Sequence, residues 1–208
     1  GGDNPIRIQS MANVSTMDTE AAVRQAIRMI EAGAEYVRFT AQGEREARNL
    51  GEIRKELTAQ GYTTPLVADI HFNPKAADAA AAEVEKVRIN PGNYVDKVKT
   101  FDLLEYTDEE YATELQKIRD RFVPFLNICK EHGTAIRIGV NHGSLSDRIM
   151  SRYGDTPEGV VASCMEFLRI CRDEDFPDVV ISIKASNTVV MVKTVRPVSY
   201  THLRAHET

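Results

Sequence analysis

The sequence predicts an α/β protein of the (β/α)8 TIM-barrel type, truncated after about six βα units. Short runs rich in β-branched residues alternate with helical patterns, the order that builds a parallel sheet with helical crossovers. No G-x-G-x-x-G motif follows the first strand, which argues against the alternative of a doubly wound dinucleotide-binding sheet. Charged residues occur within most of the strands, and the inward-facing upper layer of a barrel can be polar.

The predicted strands are short, and each lies between two helical or turn patterns. Their ranges are 6–10, 35–39, 65–70, 86–90, 135–140 and 179–184. Apolar and polar residues alternate near the ends of most of these runs, so each run has one face for the helices and one polar face.

Each helical pattern between the strands carries its own start or stop signal. Helix starts are predicted at capping residues, namely Asp18, Asn73, Thr107 and Thr156. Gly33 and Gly61 mark the ends of the first two helices. The second helix has an apolar stripe at helical spacing, formed by Ala47, Leu50, Ile53 and Leu57. Pro124 lies inside the helical pattern after residue 107, where we expect it to kink or split the helix.

The domain organisation follows from the absence of any linker or composition shift. Residues 1–196 are expected to form one partial TIM-barrel domain. Because an eight-unit barrel needs two further βα units after residue 196, we expect the chain to be a fragment in which strands one and six leave open edges. Residues 197–208 lack apolar periodicity, and we expect them to be a non-native or disordered tail.

Composition excludes several classes of protein. Hydrophobic residues make up 42% and charged residues 27%, as in soluble domains, and no run is long enough to span a membrane. The net charge of −5 argues against general nucleic-acid binding. The cysteines Cys129, Cys164 and Cys171 have no metal-ligand spacing, so we expect buried thiols, no metal site and a cytoplasmic location.

Polar side chains recur at the carboxyl ends of the predicted strands. The residues are Arg38 and Thr40, Asp69 and His71, Arg88 and Asn90, Arg137 and Asn141, and Ser182, Lys184 and Ser186. Most of them are separated by one residue and share a face, and in a barrel this end carries the active site. Four are cations and only Asp69 is an obvious carboxylate, which is unfavourable without a further counter-charge. The pattern therefore predicts a multiply charged phosphate ligand, which suits arginine.

Two turns directly follow strands four and five, at the carboxyl ends that carry the polar residues. Residues 90–93 read NPGN, and residues 139–144 read GVNHGS, with Ser144 placed to cap a short helix. Their backbone N–H groups are candidate phosphate donors. Ordinary turns use the same residues, so these two motifs leave a purely structural role open.

Asp69 and His71 admit three interpretations. They could ligate a metal, but two ligands do not make a site. They could act as acid and base. The third interpretation pairs Asp69 with a neighbouring arginine and leaves His71 to donate a hydrogen bond. We favour ligand binding or orientation over chemistry for both residues.

Taken together, the motifs identify a family. PLVADIHF, RINPGN, RIGVNHGSL and SIKAS, in this order and with IQSM near the start, resemble the 4-hydroxy-3-methylbut-2-enyl diphosphate synthases. The resemblance extends from about Gly1 to Arg196. EYVRFTAQG and the long stretch between NPGNYVD and AIRIG resemble the long form of this family, which has an extra middle domain.

The resemblance implies a function in the non-mevalonate isoprenoid pathway. Its enzymes reductively open 2-C-methyl-D-erythritol 2,4-cyclodiphosphate, using electrons from ferredoxin or flavodoxin and a four-iron four-sulfur cluster in a C-terminal domain. By position, the diphosphate clamp corresponds to Arg38, Arg88, Arg137 and Lys184. Its hydrogen-bonding partners correspond to His71, Asn90, Asn141 and Ser186, with Asp69 as the internal counter-charge.

The resemblance places the redox chemistry outside this chain. The three cysteines do not match the cluster ligands, so no catalytic residue is expected among residues 1–196 and the chain alone is expected to be inactive. Two alternatives stay open from the residues: a pterin-binding synthase-like barrel, which also binds a diphosphate, and a non-catalytic phosphate-binding barrel.

Overall fold

The computed structural model describes residues 5–71, 73–95 and 105–202, in which strands and helices alternate. The strands are β1 Gln9–Met11, β2 Tyr36–Ala41, β3 Leu66–Ile70, β4 Lys86–Ile89, β5 Ala135–Asn141 and β6 Val179–Lys184. The helices are α1 Thr19–Glu31, α2 Glu44–Ala59, α3 Pro74–Ala81, α4 Pro91–Tyr94, α5 Asp108–His132, α6 Asp147–Tyr153, α7 Pro157–Asp173 and α8 Thr188–His202. A 3-10 turn, His142–Ser144, precedes α6. The strand order in the sheet is the chain order.

The chain divides into two compact units. The first contains Gly1–Ile89 and Ile128–Ile136, and therefore β1 to β4 with the first two residues of β5. The second contains Asn90–Asn127 and Arg137–Thr208, with the rest of β5 and β6. A single domain over residues 1–196 stays a prediction. So does the predicted tail at 197–208, whose first residues lie in α8 and whose last six lie outside the described residues.

The strands of the first unit are parallel and in register. Arg38 of β2 lies beside Val67 of β3, and Asp69 of β3 lies between Thr40 and Arg88. The alternate residues Val37, Phe39, Ala68, Val87 and Ile89 are fully buried, as expected of the face that packs against the helices. Strand β1 begins later than predicted, at Gln9, and Ile6 and Ile8 are exposed.

Helix starts and faces agree with the sequence analysis. Asp18 accepts a hydrogen bond from the Ala21 N–H at 3.0 Å, and Asn73 and Thr156 cap their helices in the same way. Thr107 and Glu110 form the predicted reciprocal pair, with bonds of 2.8 Å and 3.2 Å. The apolar stripe of α2 is fully buried, and its members are Ala47, Leu50, Ile53 and Leu57.

The second unit has an aromatic core next to Pro124. The ring centroids of Phe122 and Phe167 are 5.0 Å apart, and those of Tyr94 and Phe122 are 5.8 Å apart, both edge-on. Pro124 was expected to kink or split the helix; a split is wrong, because α5 continues from Asp108 to His132, and a kink stays a prediction. Phe122 and Phe125 on either side of the proline are fully buried, and their packing offsets the lost hydrogen bond.

No described helix is long and apolar enough to cross a membrane.

The stripe on α2 gives a direct test of the fold. Leu50→Ala removes a fully buried side chain and should lower the free energy of unfolding by about 2–5 kcal/mol. Lys55→Ala, on the same helix but with a side chain 80% exposed, should change it by less than about 0.5 kcal/mol. Urea denaturation followed by circular dichroism measures both values. Equal effects of the two substitutions would contradict the assigned face of α2.

Candidate anion-binding site

A buried ion-pair cluster lies at the carboxyl ends of three strands in the first unit. Asp69 on β3 is paired with Arg38 on β2 through one carboxylate oxygen. Its other oxygen accepts from Arg88 on β4 at 3.1 Å. Asp69 is 3% exposed and each arginine 7%. The predicted pairing of Asp69 with neighbouring arginines is therefore confirmed, because alternate residues of adjacent parallel strands bring these side chains to one face.

The pKa values of this cluster reflect two opposing effects. Burial raises the pKa of Asp69, but the charges of Arg88 and Arg38, the Arg38 hydrogen bond and His71 together lower it below its ordinary value. Burial lowers the pKa of Arg88 by more than the negative charge of Asp69 raises it. The positive charge of Arg38 lowers the pKa of Arg88 further. Arginine stays protonated at physiological pH, so the cluster consists of one carboxylate and two cations.

Within the part of the chain that the structure describes, one carboxylate contacts two guanidinium groups in this cluster, which leaves an excess positive charge. The Nε atom of Arg38 is buried and has no hydrogen-bond partner among the described residues. An unpaired N–H donor in a buried cationic group is unfavourable and is relieved when an anion accepts its hydrogen bond. This geometry supports an anionic ligand for the cluster.

His71 lies at the accessible side of the same cluster. Its Nε2 atom is 3.3 Å from an Asp69 oxygen, and its side chain is 35% exposed, in contrast to the buried arginines. Among the described residues there is no group of three His, Cys, Asp or Glu side chains that could hold a metal ion. Since both Asp69 oxygens already contact arginine, the geometry favours orientation of charge over metal ligation or acid–base chemistry.

In the second unit, the turns after β4 and β5 are joined by hydrogen bonds. Asn90 is 4% exposed, and its Oδ1 atom accepts from the Gly92 N–H at 3.1 Å. Its Nδ2 atom donates to the Ser144 hydroxyl at 2.8 Å. Ser144 in turn lies 3.3 Å from the carbonyl oxygen of Asn141. Two predicted site residues are thus connected by a serine that the sequence analysis expected only as a helix cap.

Ser144 does not cap α6 as expected, because the capping residue lies two positions later in the chain. Ser146 is the N-cap of α6, and Ser144 ends the 3-10 turn before it. The one-turn 3-10 segment places the Ser144 hydroxyl toward the Asn90 turn instead. The local sequence cannot reveal this, because the partner lies 54 residues away.

The remaining predicted residues lie on β5, on β6 and just after β6. Arg137 on β5 is half-buried, and its Nε atom donates to the Ser182 hydroxyl on β6 at 2.9 Å. Lys184 and Ser186 are exposed. Ser182 and Thr40 belong to the polar pattern at the strand ends but are not among the predicted site residues. Thr40 is half-buried, and the register places it beside Asp69.

A second buried charge cluster, in the second unit, was not predicted. Arg148 of α6 donates to both Glu166 oxygens of α7, at 2.8 Å and 2.7 Å, and is 1% exposed. Tyr111 of α5 donates its hydroxyl to the same Glu166. Burial, followed by the Glu166 charge, raises the pKa of Tyr111 well above its ordinary value, so the phenol stays protonated. Both Glu166 oxygens accept hydrogen bonds in this cluster, which joins three helices.

The cysteines do not form a metal or redox site. All three are buried, with Cys129 on α5 and the other two on α7. Burial raises the pKa of both Cys164 and Cys171 to about 12, which keeps these thiols protonated and unreactive. An iron–sulfur cluster is held by several thiolates together, and the cysteines, on α5 and α7, are not part of any group of three candidate ligands among the described residues.

Comparisons with known proteins identify the relatives of this chain. A protein-family model described as the GcpE TIM-barrel domain matches residues 1–205. A 4-hydroxy-3-methylbut-2-en-1-yl diphosphate synthase (flavodoxin) from Parabacteroides distasonis is 91% identical over 196 residues, which are 94% of this chain and 32% of the relative. The protein of the same name from Bacteroides thetaiotaomicron is 76% identical with the same coverage. The chain spans about a third of the length of these relatives.

Among solved structures, the apo form of a 3-keto-D-glucoside 4-epimerase from E. coli is similar with a TM-score of 0.56. The match covers 92% of this chain and 76% of that one, at 12% sequence identity. A similarity at this level of identity concerns the fold alone.

Removing the charge of Asp69 should destabilise the protein strongly. Asp69→Asn keeps the shape but leaves two buried guanidinium groups without their carboxylate, and we expect a loss of about 3–5 kcal/mol in the free energy of unfolding at neutral pH. The matched control is Glu20→Gln, which breaks an ion pair with Arg24 in which both side chains are largely exposed, and it should have little effect. Urea denaturation measures both. A small effect of Asp69→Asn would contradict the pairing.

The stabilisation by Asp69 should also depend on pH. Its folded pKa lies below the unfolded value of about 3.9, so the unfolded state binds more protons as the pH falls. The stabilisation is therefore complete above the unfolded pKa and is lost as the pH falls through the folded pKa. We expect the stability difference between wild type and Asp69→Asn to shrink below about pH 4 in urea titrations. A difference independent of pH would contradict the lowered pKa.

Proposed function

Because the chain belongs to the GcpE TIM-barrel domain family, we propose that it is the substrate-binding part of a longer 4-hydroxy-3-methylbut-2-enyl diphosphate synthase. In this proposal the parent enzyme reductively opens 2-C-methyl-D-erythritol 2,4-cyclodiphosphate to 4-hydroxy-3-methylbut-2-enyl diphosphate in the isoprenoid pathway. The chain contributes the groups that hold the cyclic diphosphate. The ligand-binding residues are Arg38, Asp69, His71, Arg88, Asn90, Arg137, Asn141, Lys184 and Ser186.

The observation that carries the proposal is the excess positive charge around Asp69. Arg38 and Arg88 share one carboxylate, and the buried Nε atom of Arg38 lacks a partner among the described residues. A cyclic diphosphate carries two negative charges, and its oxygens match the planar fork of a guanidinium group. Asp69 orients the arginines before the ligand binds, so little reorganisation is needed on binding.

His71 completes the polar surface of this cluster. Its side chain is half-buried, in contrast to the buried arginines, and its Nε2 atom lies 3.3 Å from an Asp69 oxygen. In this proposal His71 donates a hydrogen bond to the diphosphate, and the excess positive charge of the arginines favours the anion. Both contributions are to binding and orientation, and neither moves an electron.

Three residues of the second unit are proposed to supply the other phosphate contacts. Arg137 is oriented by the Ser182 hydroxyl, which accepts a hydrogen bond from its Nε atom at 2.9 Å. Lys184 and Ser186 are exposed, so a ligand can reach them from solvent. The ammonium group of a lysine acts as a compact point charge, whereas an arginine presents a planar fork of donors.

The redox step is assigned to parts of the parent enzyme outside this chain. We propose that a four-iron four-sulfur cluster supplies the two electrons, with ligands that are not in this chain. The names of the relatives include flavodoxin, which favours flavodoxin over ferredoxin as the electron donor. We also propose a cytoplasmic location, which suits protonated buried cysteines and a small-molecule substrate.

A chimeric enzyme tests the proposal. The matched segment of the Parabacteroides distasonis protein is replaced with the corresponding residues of this chain, which are 91% identical to it. We expect the chimera to convert the cyclodiphosphate with reduced flavodoxin at a rate close to that of the parent. A folded chimera that binds pterin diphosphates, or inorganic phosphate only, would favour one of the two alternative barrels and contradict the proposal.

Within this chimera, Arg137→Ala should weaken substrate binding. A hydrogen bond to a charged group contributes about 1.5–3 kcal/mol, so the Kd for the cyclodiphosphate should rise about 10- to 100-fold by calorimetry. Arg172→Ala, with a side chain 66% exposed and paired with Asp173, is the control and should leave the Kd unchanged. Added salt should weaken binding to the wild type more than to Arg137→Ala. Equal affinity of the two variants would remove Arg137 from the site.

A further inference from the structure

Ser144 connects the two turns that carry Asn90 and Asn141. The Asn90 amide donates to the Ser144 oxygen at 2.8 Å, and the Ser144 hydroxyl donates its single proton toward the Asn141 carbonyl at 3.3 Å. All three residues belong to the second unit. A hydroxyl accepts and donates at the same time, so the direction of both hydrogen bonds is consistent.

The orientation of the Asn90 amide follows from these bonds. The Gly92 N–H can only donate a hydrogen bond, so the Oδ1 atom of the Asn90 amide must face it. The NH2 group then faces Ser144, and one of its two protons is used by the Ser144 oxygen. The second proton keeps a defined direction because the amide plane is held at both ends. Without the Ser144 acceptor, the Gly92 contact would be the one remaining hydrogen bond among the described residues that restrains this plane.

The backbones of the two turns are also in close contact. A Cβ atom placed on Gly92 would overlap the carbonyl oxygen of Ser144, so only glycine fits at this position. The φ of Gly92 is not in the left-handed region, and the requirement for glycine comes from this approach alone. The short separation places the Ser144 side chain within reach of Asn90.

We infer that Ser144 is a positioning residue for the diphosphate site, an inference that rests on the proposed function. It does not contact the ligand itself. Its hydroxyl fixes the free proton of the Asn90 amide and the end of β5 at Asn141, so both groups are oriented before the anion arrives. Ring opening breaks the bond between carbon and one oxygen of this diphosphate, while the other end of the diphosphate stays attached. Asn90 holds the group before and after that step, so we expect the positioning by Ser144 to act on the affinity for the substrate.

The test uses the chimeric full-length enzyme and the cyclodiphosphate. Ser144→Ala removes the acceptor, and we expect Kd and KM to rise about 5- to 10-fold while kcat changes by less than about twofold. Ser146→Ala is the matched control, since its hydroxyl is buried without a partner among the described residues. This control should bind the substrate like the wild type. Unchanged Kd in Ser144→Ala would overturn the inference.

A second pair of variants separates the hydroxyl from the size of the side chain. Ser144→Thr and Ser144→Val have nearly the same shape, and only threonine keeps the acceptor. Threonine should retain the wild-type Kd and valine should show the same loss as alanine. Equal losses in both would overturn the inference, and so would unfolding of the alanine and valine variants while threonine folds, since the hydroxyl would then serve stability alone.

A double-mutant cycle with Asn90→Ala gives the final readout. If Ser144 acts through Asn90, then Ser144→Ala should raise the Kd by less than about twofold in the Asn90→Ala background. Fully additive effects would overturn the inference. A wild-type chimera that does not bind the cyclodiphosphate would instead contradict the proposed function, so the two failures are distinguishable.

Discussion

The buried carboxylate of Asp69 is the interaction on which the polar end of the first unit depends. It lies on β3, between β2 and β4, and each neighbouring strand contributes one arginine to it. Neither guanidinium group could be buried without this carboxylate, and the carboxylate could not be buried without them. Among the described residues, one carboxylate and two guanidinium groups leave a positive charge at this end of the first unit. The proposed anionic ligand would offset that charge.

Much of this arrangement could be predicted from the sequence because it depends on short-range rules. The two-residue period of a strand places Arg38, Asp69 and Arg88 on one face, and parallel pairing brings their ends together. Capping pairs such as Thr107 and Glu110 act over three residues, and the prediction of this pair is confirmed. The predicted barrel class and family are confirmed by the match to the GcpE TIM-barrel domain. The role of the site residues in binding remains a prediction.

The features that the sequence analysis missed depend on partners far apart in the chain. Asn90 and Ser144 are 54 residues apart, and Tyr111 and Glu166 are 55 apart. A glutamate between Met165 and Phe167 gives no local sign that an arginine and a tyrosine will satisfy it. Pro124 was expected to kink or split α5 on intrinsic preference, but α5 is not split, because tertiary packing of Phe122 and Phe125 outweighs the preference for a break. In each case the deciding energy comes from a long-range contact.

The complete burial of β3 also has a consequence for how this protein can evolve. All five residues of the strand are buried, so Asp69 and its apolar neighbours occupy opposite faces with no solvent-facing position between them. An insertion or deletion of one residue within β3 would turn the carboxylate toward the helices and an apolar side chain toward the arginines. Conservative substitutions in this strand change one contact at a time, whereas a change in its length inverts every contact at once. Across related proteins, the length of β3 should vary less than its composition.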